Sequence, residues 1–428
     1  MTADSADSTD ATNATDATDA TIQRRTVRVL AAAQVLGGVG VGAGVAVGGL
    51  VAEDVSGSTA LAGLAQTATV LGAAVAALPM ARLMSVRGRR PGLVSGYVSA
   101  VLGSVLTVLG AERDSFTLVL VGLVLLGSGT ATNLQSRYAA TDLATPAHRA
   151  RALGTVVWAT TVGVVLGPNL SGPGGAVGDW LGIPELAGPL VFSALAFGLA
   201  AAVVAGGLRP DPLLQSRRTS GVDVARGGPT PTFAQSLGTL RRSRPATVAL
   251  VALALAHTVM VSVMAMTPVH MRHEGASLQI VGLVISAHVA GMFAFSPVVG
   301  WLADRFGRVE VIALGQVLLV AAVVVAGTAP EQANVALGVG LLLLGLGWSC
   351  ALVAGSTVLS ESVDDRARPG VQGAADFVMG AVGALGGAVA GVVVAGPGYG
   401  VLNALAGLLV CPVVLLVLGL RRTPLLTR

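Results

Sequence analysis

The chain has 428 residues, of which 53% are hydrophobic and only 11% are charged, and its mean hydropathy is +0.78. These values exclude a water-soluble globular protein, because a soluble fold does not carry so much apolar surface beside so little charge. All 26 basic residues are arginine, and the formal net charge is +4. Uncharged apolar runs of about 20 residues, the length that crosses a bilayer as a helix, recur along the chain. The composition therefore predicts a polytopic membrane protein.

Residues 1–23 form a low-complexity tract of Asp, Ala and Thr without an apolar period. We predict a disordered cytoplasmic tail there, because such a composition cannot bury a core. Twelve predicted spans follow, at residues 29–52, 59–81, 91–111, 116–137, 152–171, 188–208, 246–268, 278–302, 309–328, 333–357, 370–395 and 398–420. The predicted units are a first six-helix bundle (24–208), a cytoplasmic central loop rich in Arg, Pro, Gly and Ser (209–245), a second six-helix bundle (246–420) and a short cytoplasmic tail (421–428).

The arginines predict the orientation of these spans. With both termini inside, the cytoplasmic segments hold 24 arginines and only Arg113 and Arg272 lie outside. Basic residues are retained on the cytoplasmic side during membrane insertion. We therefore predict that both termini are cytoplasmic. Because the positive charge follows the loops in this way, it does not indicate nucleic-acid binding.

A short polar turn joins spans 8 and 9 and reads G-W-L-A-D-R-F-G-R over residues 300–308. Gly307 permits the tight reversal, because glycine adopts backbone angles that other residues avoid. Asp304, Arg305 and Arg308 place opposite charges at close range in the same turn. Any polar turn between two helices contains glycine and charge, so the pattern gains weight only from the rest of the chain.

The second half of the chain repeats the first at an offset of 219 residues. This offset relates Gly307 to Gly88 and Arg308 to Arg89, in the loop between spans 2 and 3. Ser85 stands in this loop where the second half has its aspartate. The repeat predicts two parallel halves of six helices each.

Two further loops carry an acid followed seven residues later by an arginine. Asp142 and Arg149 flank the loop after span 4, and Glu361 and Arg368 flank the loop after span 10, at the same offset of 219. Ion pairs at such a helix junction can favour one packing arrangement and release when the junction opens. Ordinary cytoplasmic arginines with incidental acids are the alternative interpretation.

Span 5 contains the pattern G-V-V-L-G-P-N-L-S-G at residues 163–172. Gly163 and Gly167 allow two helices to approach closely. Pro168 frees a backbone carbonyl and kinks the helix, and Gly172 closes the pattern. The combination predicts a hinge or a tight helix seam, and a generic small-residue packing face is the alternative.

The turn at 300–308, its partial copy at 81–89 and the two acid-x6-Arg pairs resemble the major facilitator superfamily of transporters, whose motif A reads G-x-L-A-D-R-x-G-R. The resemblance covers essentially residues 24–420. It implies an all-α membrane protein with twelve transmembrane helices in two pseudo-symmetric six-helix bundles, which rock about a central site. It also implies cytoplasmic charge networks that latch one state: Asp304, Arg305, Gly307, Arg308, Glu361 and Arg368 in one, and Arg89, Asp142 and Arg149 in a weaker one.

Residues 163–172 resemble motif C of the same superfamily, which is associated with antiporters and chiefly with exporters. One glycine of that motif is replaced by Ser171. The arginine that proton-coupled members carry within span 4 is not matched. Its position falls on apolar residues near Leu123, whereas Arg137 lies at the inner end of the predicted helix.

Polar side chains inside the spans are costly in lipid and therefore indicate function. The candidates for binding substrate or protons are Gln34, Asn133, Trp158, His257, Trp348 and Asp376. Asp376 is either a proton carrier, because burial disfavours a charged carboxylate, or the partner of a cytoplasmic arginine. For His257 a hydrogen-bonded packing role is favoured over titration, because a lone helix histidine more often packs.

We find no catalytic constellation: the sequence has no G-K-[ST] phosphate loop and no convincing nucleophile elbow. We therefore expect that the protein is not an enzyme and that it has no cofactor and no metal site. We predict a monomeric secondary transporter of the bacterial plasma membrane, embedded in the lipid bilayer, which exports a small hydrophobic or weakly polar compound in exchange for protons or another coupling ion. The alternatives are an importer or uniporter of the same fold, or a non-transporting membrane sensor.

Overall fold

The computed structural model describes residues 3–57, 59–219, 232–276, 278–330 and 332–421. This part of the chain consists of helices joined by short turns and contains no β-strand. The α-helices are α1 (Ala3–Ser56), α2 (Thr59–Arg87), α3 (Arg89–Glu112), α4 (Phe116–Ala139), α5 (Arg149–Leu166), α6 (Ser171–Leu181), α7 (Gly188–Gly207), α8 (Pro212–Thr219), α9 (Phe233–Arg242), α10 (Arg244–His273), α11 (Leu278–Val289), α12 (Ser296–Phe306), α13 (Arg308–Gly327), α14 (Asn334–Glu361), α15 (Arg368–Ala395) and α16 (Tyr399–Arg421).

Within the described residues, eleven helical segments are long and apolar enough to cross a membrane. The fifth predicted span, at 152–171, is not among them, because α5 ends at Leu166 and a 3-10 turn follows at Pro168–Leu170. Proline lacks the N–H that would continue the helical ladder, which explains the break. α5 nevertheless runs along the bundle, contacting α1 and α12. It therefore completes the first set of six.

The eighth predicted span, at 278–302, is divided into α11 and α12 by a π-turn at Ala290–Ala294. A π-turn inserts one residue into the helical ladder and often occurs at functional sites. Here it places the ring of Phe293 against Trp348 of α14, with 5.7 Å between the ring centroids.

Each half has its own apolar core. The first core joins Leu93, Leu126 and Phe197 of α3, α4 and α7, and the second joins residues of α10, α13, α14 and α15. Four residues of the first half pack into the second core instead: Tyr138, Ala150, Leu153 and Val157. The ends of α4 and α5 thus contact the opposite half.

Two pairs of helices, α5 with α12 and α2 with α15, pack closely across the boundary between the halves. A Cβ atom on Gly154 of α5 would meet the Ser296 carbonyl oxygen of α12, and a Cβ atom on Gly373 of α15 would meet Ala77 and Ala81 of α2. The offset of 219 relates Gly154 to Gly373 and Ala77 to Ser296, so the two seams are equivalent copies. Close approach of two helix backbones requires small residues at the contact, and these positions supply them.

The loops around Gly88, Asp142, Gly307 and Glu361 lie together at one end of the molecule, which we call the Arg-rich end. Gly88 and Gly307 have φ angles of +91° and +109°, a region that disfavours other residues. Each glycine precedes the first residue of a helix, α3 or α13. The sequence repeat therefore corresponds to a repeat of backbone conformation.

The amino-terminal segment differs from the predicted disordered tail over residues 1–23. α1 begins at Ala3 and continues without interruption into the first span. Frequent alanines favour this extension, since alanine has the highest helix propensity. Asp19 fixes it by accepting hydrogen bonds from Gln215 and Thr219 of α8, at 3.0 Å each. Residues 220–231 of the predicted central loop and residues 422–428 of the predicted carboxy-terminal tail lie outside the described residues.

Candidate functional site

A buried ion pair joins the two halves near the Arg-rich end. Nη2 of Arg137, in the last turn of α4, lies 2.6 Å from Oδ1 of Asp376 in α15. The Arg137 side chain is 1% exposed and that of Asp376 is 4% exposed. Arg137, expected at the inner end of its helix with the cytoplasmic arginines, is therefore buried between the halves. Of the two alternatives for Asp376, the structure shows pairing with an arginine.

Three further side chains complete this cluster. Gln135 donates a hydrogen bond to Oδ2 of Asp376 at 2.9 Å, and the Tyr138 hydroxyl lies 3.4 Å from Oδ1. Nε of Arg137 donates to Oγ of Ser356 at 3.0 Å. Arg137 and Ser356 are equivalent positions in the two repeats, since they are 219 residues apart. Their direct contact places the ion pair near the axis that relates the halves.

A second cluster lies one helical turn nearer the Arg-rich end. Arg89 donates to both carboxylate oxygens of Asp142, at 2.8 and 3.0 Å, and to Oε1 of Gln372 at 2.7 Å. Gln372 belongs to the other half and donates in turn to Ser360 at 3.0 Å. Both charged side chains are fully buried. The first-half network, expected to be the weaker, thus has the tighter geometry, because a two-pronged arginine–carboxylate pair is strong.

A third cluster forms around the turn at 300–308. Asp304 accepts hydrogen bonds from the backbone N–H groups of Ala150 and Arg151, at 3.1 and 2.8 Å. These groups belong to the first turn of α5, so Asp304 caps a helix of the other half. Nη2 of Arg308 lies 3.3 Å from Asp304 and 3.2 Å from Glu361, and it also donates to the carbonyl of Pro146.

The acid-x6-Arg pairs do not close within their own loops. Glu361 contacts Arg149 of the first half, at 3.7 Å. Arg368 instead pairs with Asp365 at 2.6 Å and donates to the carbonyl of Ser360. Arg305 lies outside all three clusters, where its guanidinium lies over the rings of Trp301 and Phe306. Asp142 and Glu361 each contact an arginine of another element, because tertiary packing brings that arginine closer than the one seven residues along the chain.

Ser85 has a structural explanation. Its equivalent Asp304 accepts from two N–H groups at the start of α5. The equivalent of Ala150 at the start of α15 is Pro369, which has no N–H. Oγ of Ser85 instead donates to its own helix, and its carbonyl accepts from Arg217 of α8 at 2.9 Å. An acid at this position would lack one of its two backbone donors.

Gln34 and Asn133 belong to a hydrogen-bond network inside the first half. Gln34 donates to the carbonyl of Asn133 at 3.2 Å and to Thr160 at 2.8 Å. The Asn133 side chain accepts from the hydroxyl of Tyr97 at 2.9 Å. These contacts tie α1, α3, α4 and α5 together. Both residues are buried, and their described contacts are within one half.

His257 and Trp348 form an aromatic group in the second half. Nε1 of Trp348 donates to Nδ1 of His257 at 3.1 Å, and Phe293 packs edge-on against Trp348. A Cβ atom on Gly383 of α15 would touch the His257 ring. Gly383 lies seven residues after Asp376, on the same face of α15 and about 10 Å further from the Arg-rich end. Trp158, the remaining candidate, is 43% exposed on α5.

The pattern at 163–172 divides into two parts. Cβ atoms on Gly163 and Gly167 would collide with the backbone of α1 at Gly38 and Gly42. These two glycines therefore form a tight α1–α5 seam. Gly172, by contrast, faces open space.

Among the described residues, no group of three or more His, Cys, Asp or Glu side chains is placed to hold a metal ion. All described hydrogen bonds and ion pairs between the halves lie at or near the Arg-rich end. The arrangement is therefore one in which this end is closed, and we call it the latched arrangement. The site consists of charge pairs and hydrogen bonds that join the two halves.

Comparison with known proteins identifies the family. The model of the Major Facilitator Superfamily matches residues 29–279 and again residues 249–427. The chain belongs to the major facilitator superfamily. It is thus a multi-pass membrane transporter, and the two overlapping matches together cover nearly the whole chain.

Characterised and uncharacterised members of the superfamily resemble it over nearly their whole length. The uncharacterised MFS-type transporter YdeG of Bacillus subtilis is 39% identical over 390 residues, which cover 91% of this chain and 90% of the relative. The riboflavin transporter RfnT of Brucella anthropi is 29% identical, covering 93% and 95%. Among solved structures, the proton:xylose symporter XylE superposes with a TM-score of 0.70 at 15% identity, covering 96% and 97%, which shows the shared fold.

The sequence does not predict several residues of these clusters. Its arginine pattern assigns Arg137 to the cytoplasmic loops, although Arg137 contacts Ser356, the residue 219 positions later, and therefore lies near the repeat axis. Gln372 precedes Asp376 by four residues and so shares its helix face, a signal that would have found it. Tyr97 and Phe293 carry no such signal, because apolar spans contain many aromatic residues that only pack.

Proposed function

We propose that this transporter exports a small hydrophobic or weakly polar compound in exchange for protons by alternating access. The observation that carries the proposal is the ion pair of Arg137 and Asp376, buried where the halves meet. A proton on Asp376 removes its charge and weakens the pair, so the halves separate at the Arg-rich end. Proton binding is thereby linked to the step that exposes the central site.

The α1–α5 seam supports exchange over uniport. Gly163 and Gly167 press α5 onto the backbone of α1, as in the antiporter-associated pattern. A tight seam limits ion leakage through the first half while the halves move. We propose a monomer in a bacterial plasma membrane with both termini cytoplasmic, because the Arg-rich end then faces inward.

The second-half aromatic group favours a flat aromatic substrate. Trp348, Phe293 and His257 lie together, and His257 packs against Gly383 of α15, about two helical turns beyond Asp376. Aromatic rings bind planar rings by stacking, and the imidazole supplies a hydrogen-bonding nitrogen. A relative named a riboflavin transporter agrees with this substrate class.

The test uses the purified chain in liposomes that enclose a pH-sensitive dye, under an imposed proton gradient. Riboflavin, other planar heterocycles and lipophilic cations are added in turn. We expect substrate-dependent proton movement in the wild type, none in Asp376→Asn, and normal movement in Asp54→Asn, whose carboxylate is exposed at the end of α1. Substrate flux without proton movement would contradict proton exchange and favour a uniporter.

A further inference from the structure

A cavity of about 1030 Å³ lies in the first half at the Arg-rich end. Arg24 and Arg28 of α1 line one side, and His148 and Arg151 at the start of α5 line the other. Thr219 of α8 contributes to the rim. The volume suits a ligand of moderate size.

The charge inside this cavity is not balanced by the described residues. Arg24, Arg28 and Arg151 have no carboxylate within ion-pair distance in the described part of the chain, whereas at the same end Arg89 has one and Arg308 has two. Two acids also line the cavity. Asp142 is paired with Arg89, whereas Asp19 accepts hydrogen bonds only from uncharged side chains of α8 and so keeps one negative charge in the cavity. Among the described lining residues, three unpaired arginines therefore face one unpaired carboxylate, which leaves an excess of positive charge.

The cavity wall is held in place by the clusters that close the halves. The segment from residue 142 to residue 151 supplies much of the lining. Its start is fixed by the pair of Asp142 with Arg89, and its end by Asp304, which binds the backbone of Ala150 and Arg151. The side chain of Arg151 remains available, because Asp304 binds only the backbone N–H of this residue. The cavity is thus preformed in the latched arrangement.

We propose that this cavity binds the headgroup phosphate of an anionic phospholipid. Arginine presents several N–H donors that match phosphate oxygens, and a phosphate supplies the missing negative charge. A lipid is the favoured source because the uncharged apolar run of α1 begins directly after Arg28, and Val27 and Ala152 add apolar surface beside the arginines. Basic pockets between helices at a membrane surface bind such headgroups.

The test uses the full chain, delipidated in neutral detergent. Native mass spectrometry and thermal unfolding are followed during titration with phosphatidylglycerol, with phosphatidylethanolamine and with soluble glycerol phosphate. We expect saturable binding of phosphatidylglycerol and a raised Tm, with weak effects of the other two. Arg28→Gln and Arg151→Gln should each weaken binding about fivefold, since one basic residue near an anionic surface contributes about that factor.

Arg241→Gln is the matched control, because Arg241 is an exposed arginine of α9 that does not line the cavity. It should bind phosphatidylglycerol like the wild type. An equal loss in the control would overturn the site in favour of general surface charge. Equal binding of phosphatidylethanolamine would overturn selectivity for an anionic headgroup, and equal protection by glycerol phosphate would overturn the lipid as the source.

Discussion

Arg137 and Asp376 hold the two halves together, because separating them would leave two buried charges without a partner. Each belongs to a different half, and both are nearly inaccessible to solvent. Gln135 and Ser356 satisfy further hydrogen-bonding groups of the pair. Such a pair gives little net stability over an apolar core, but losing one member is costly. It therefore suits a contact that must be made in one state and broken in another.

Removal of one member of this pair should destabilise the protein more than removal of both. We expect Asp376→Ala or Arg137→Ala to lower the free energy of unfolding by about 3–5 kcal/mol, because a buried charge remains. The double change Arg137→Met, Asp376→Leu should recover most of that loss. Thermal unfolding in detergent measures all three variants.

Gln316→Leu serves as the control for this series. Gln316 is buried in α13, and its described hydrogen bond is to its own helix. Its removal should change the unfolding temperature little. A double variant that is as unstable as the two single variants together would contradict the account of the pair.

Sequence reasoning finds acids better than it finds their partners. Asp376, Asp142 and Glu361 stand out because a carboxylate in or beside an apolar run is rare. Their arginines come from other helices, so the acid-x6-Arg spacing by itself does not identify the arginine that each acid contacts. Glu361, expected in one network with Arg308 and Arg368, contacts Arg308 as expected, but its second arginine is Arg149 rather than Arg368. Only the packing of the helices decides which charge is nearest.

At the scale of elements, Asp304 joins the halves by capping the first turn of α5 from α12. The equivalent contact between α2 and α15 is missing, because Ser85 replaces the acid and Pro369 removes one donor. We expect Ser85→Asp alone to leave thermal stability unchanged. Ser85→Asp combined with Pro369→Ala should raise the free energy of unfolding by about 1 kcal/mol, the usual contribution of a helix cap.

Thermal unfolding of the two single variants and the double variant checks this prediction. Pro369→Ala alone is the control and should be close to neutral, because proline and alanine are both tolerated in a first helical turn. Stabilisation by Ser85→Asp alone would show that the missing N–H does not explain the serine.

Two glycines of the pattern at 163–172 have different environments, because Gly167 lies in the seam between α1 and α5 and Gly172 does not. A side chain at Gly167 would overlap the backbone of Gly42, whereas Gly172 faces open space. We expect Gly167→Val to lower the free energy of unfolding by about 1–3 kcal/mol through overpacking. Gly172→Val should have little effect. Equal losses for the two variants, measured by thermal unfolding, would contradict the seam.

Most helices are predictable from the sequence because membrane spans need long apolar runs. The differences arise where local chemistry competes with that rule. Pro168 ends α5 within its predicted span, and the Asp/Ala/Thr tract before residue 24 extends α1 toward its N-terminus. The π-turn in the eighth span has no signal in hydropathy, because it adds one residue without changing polarity.

At the scale of the molecule, the two halves meet through copies of the same contact. The α5–α12 seam and the α2–α15 seam use positions related by one offset, around a central ion pair on the repeat axis. Apolar seams and paired charges close together at the Arg-rich end. A transporter of this superfamily must open that end in turn, so the seams must separate and the charges must part.

The most direct test measures the distance across the Arg-rich end by double electron–electron resonance. Spin labels replace Val86 at the end of α2 and Phe306 at the end of α12, which are 51% and 58% exposed, in a chain with Cys350→Ala and Cys411→Ala. We predict one short distance in the parent chain. A longer distance should appear when Asp304→Ala and Asp376→Asn are introduced together, and the control Asp54→Asn should leave the short distance alone. An unchanged distribution in the double variant, with the protein folded, would contradict the claim that these charges hold the halves closed.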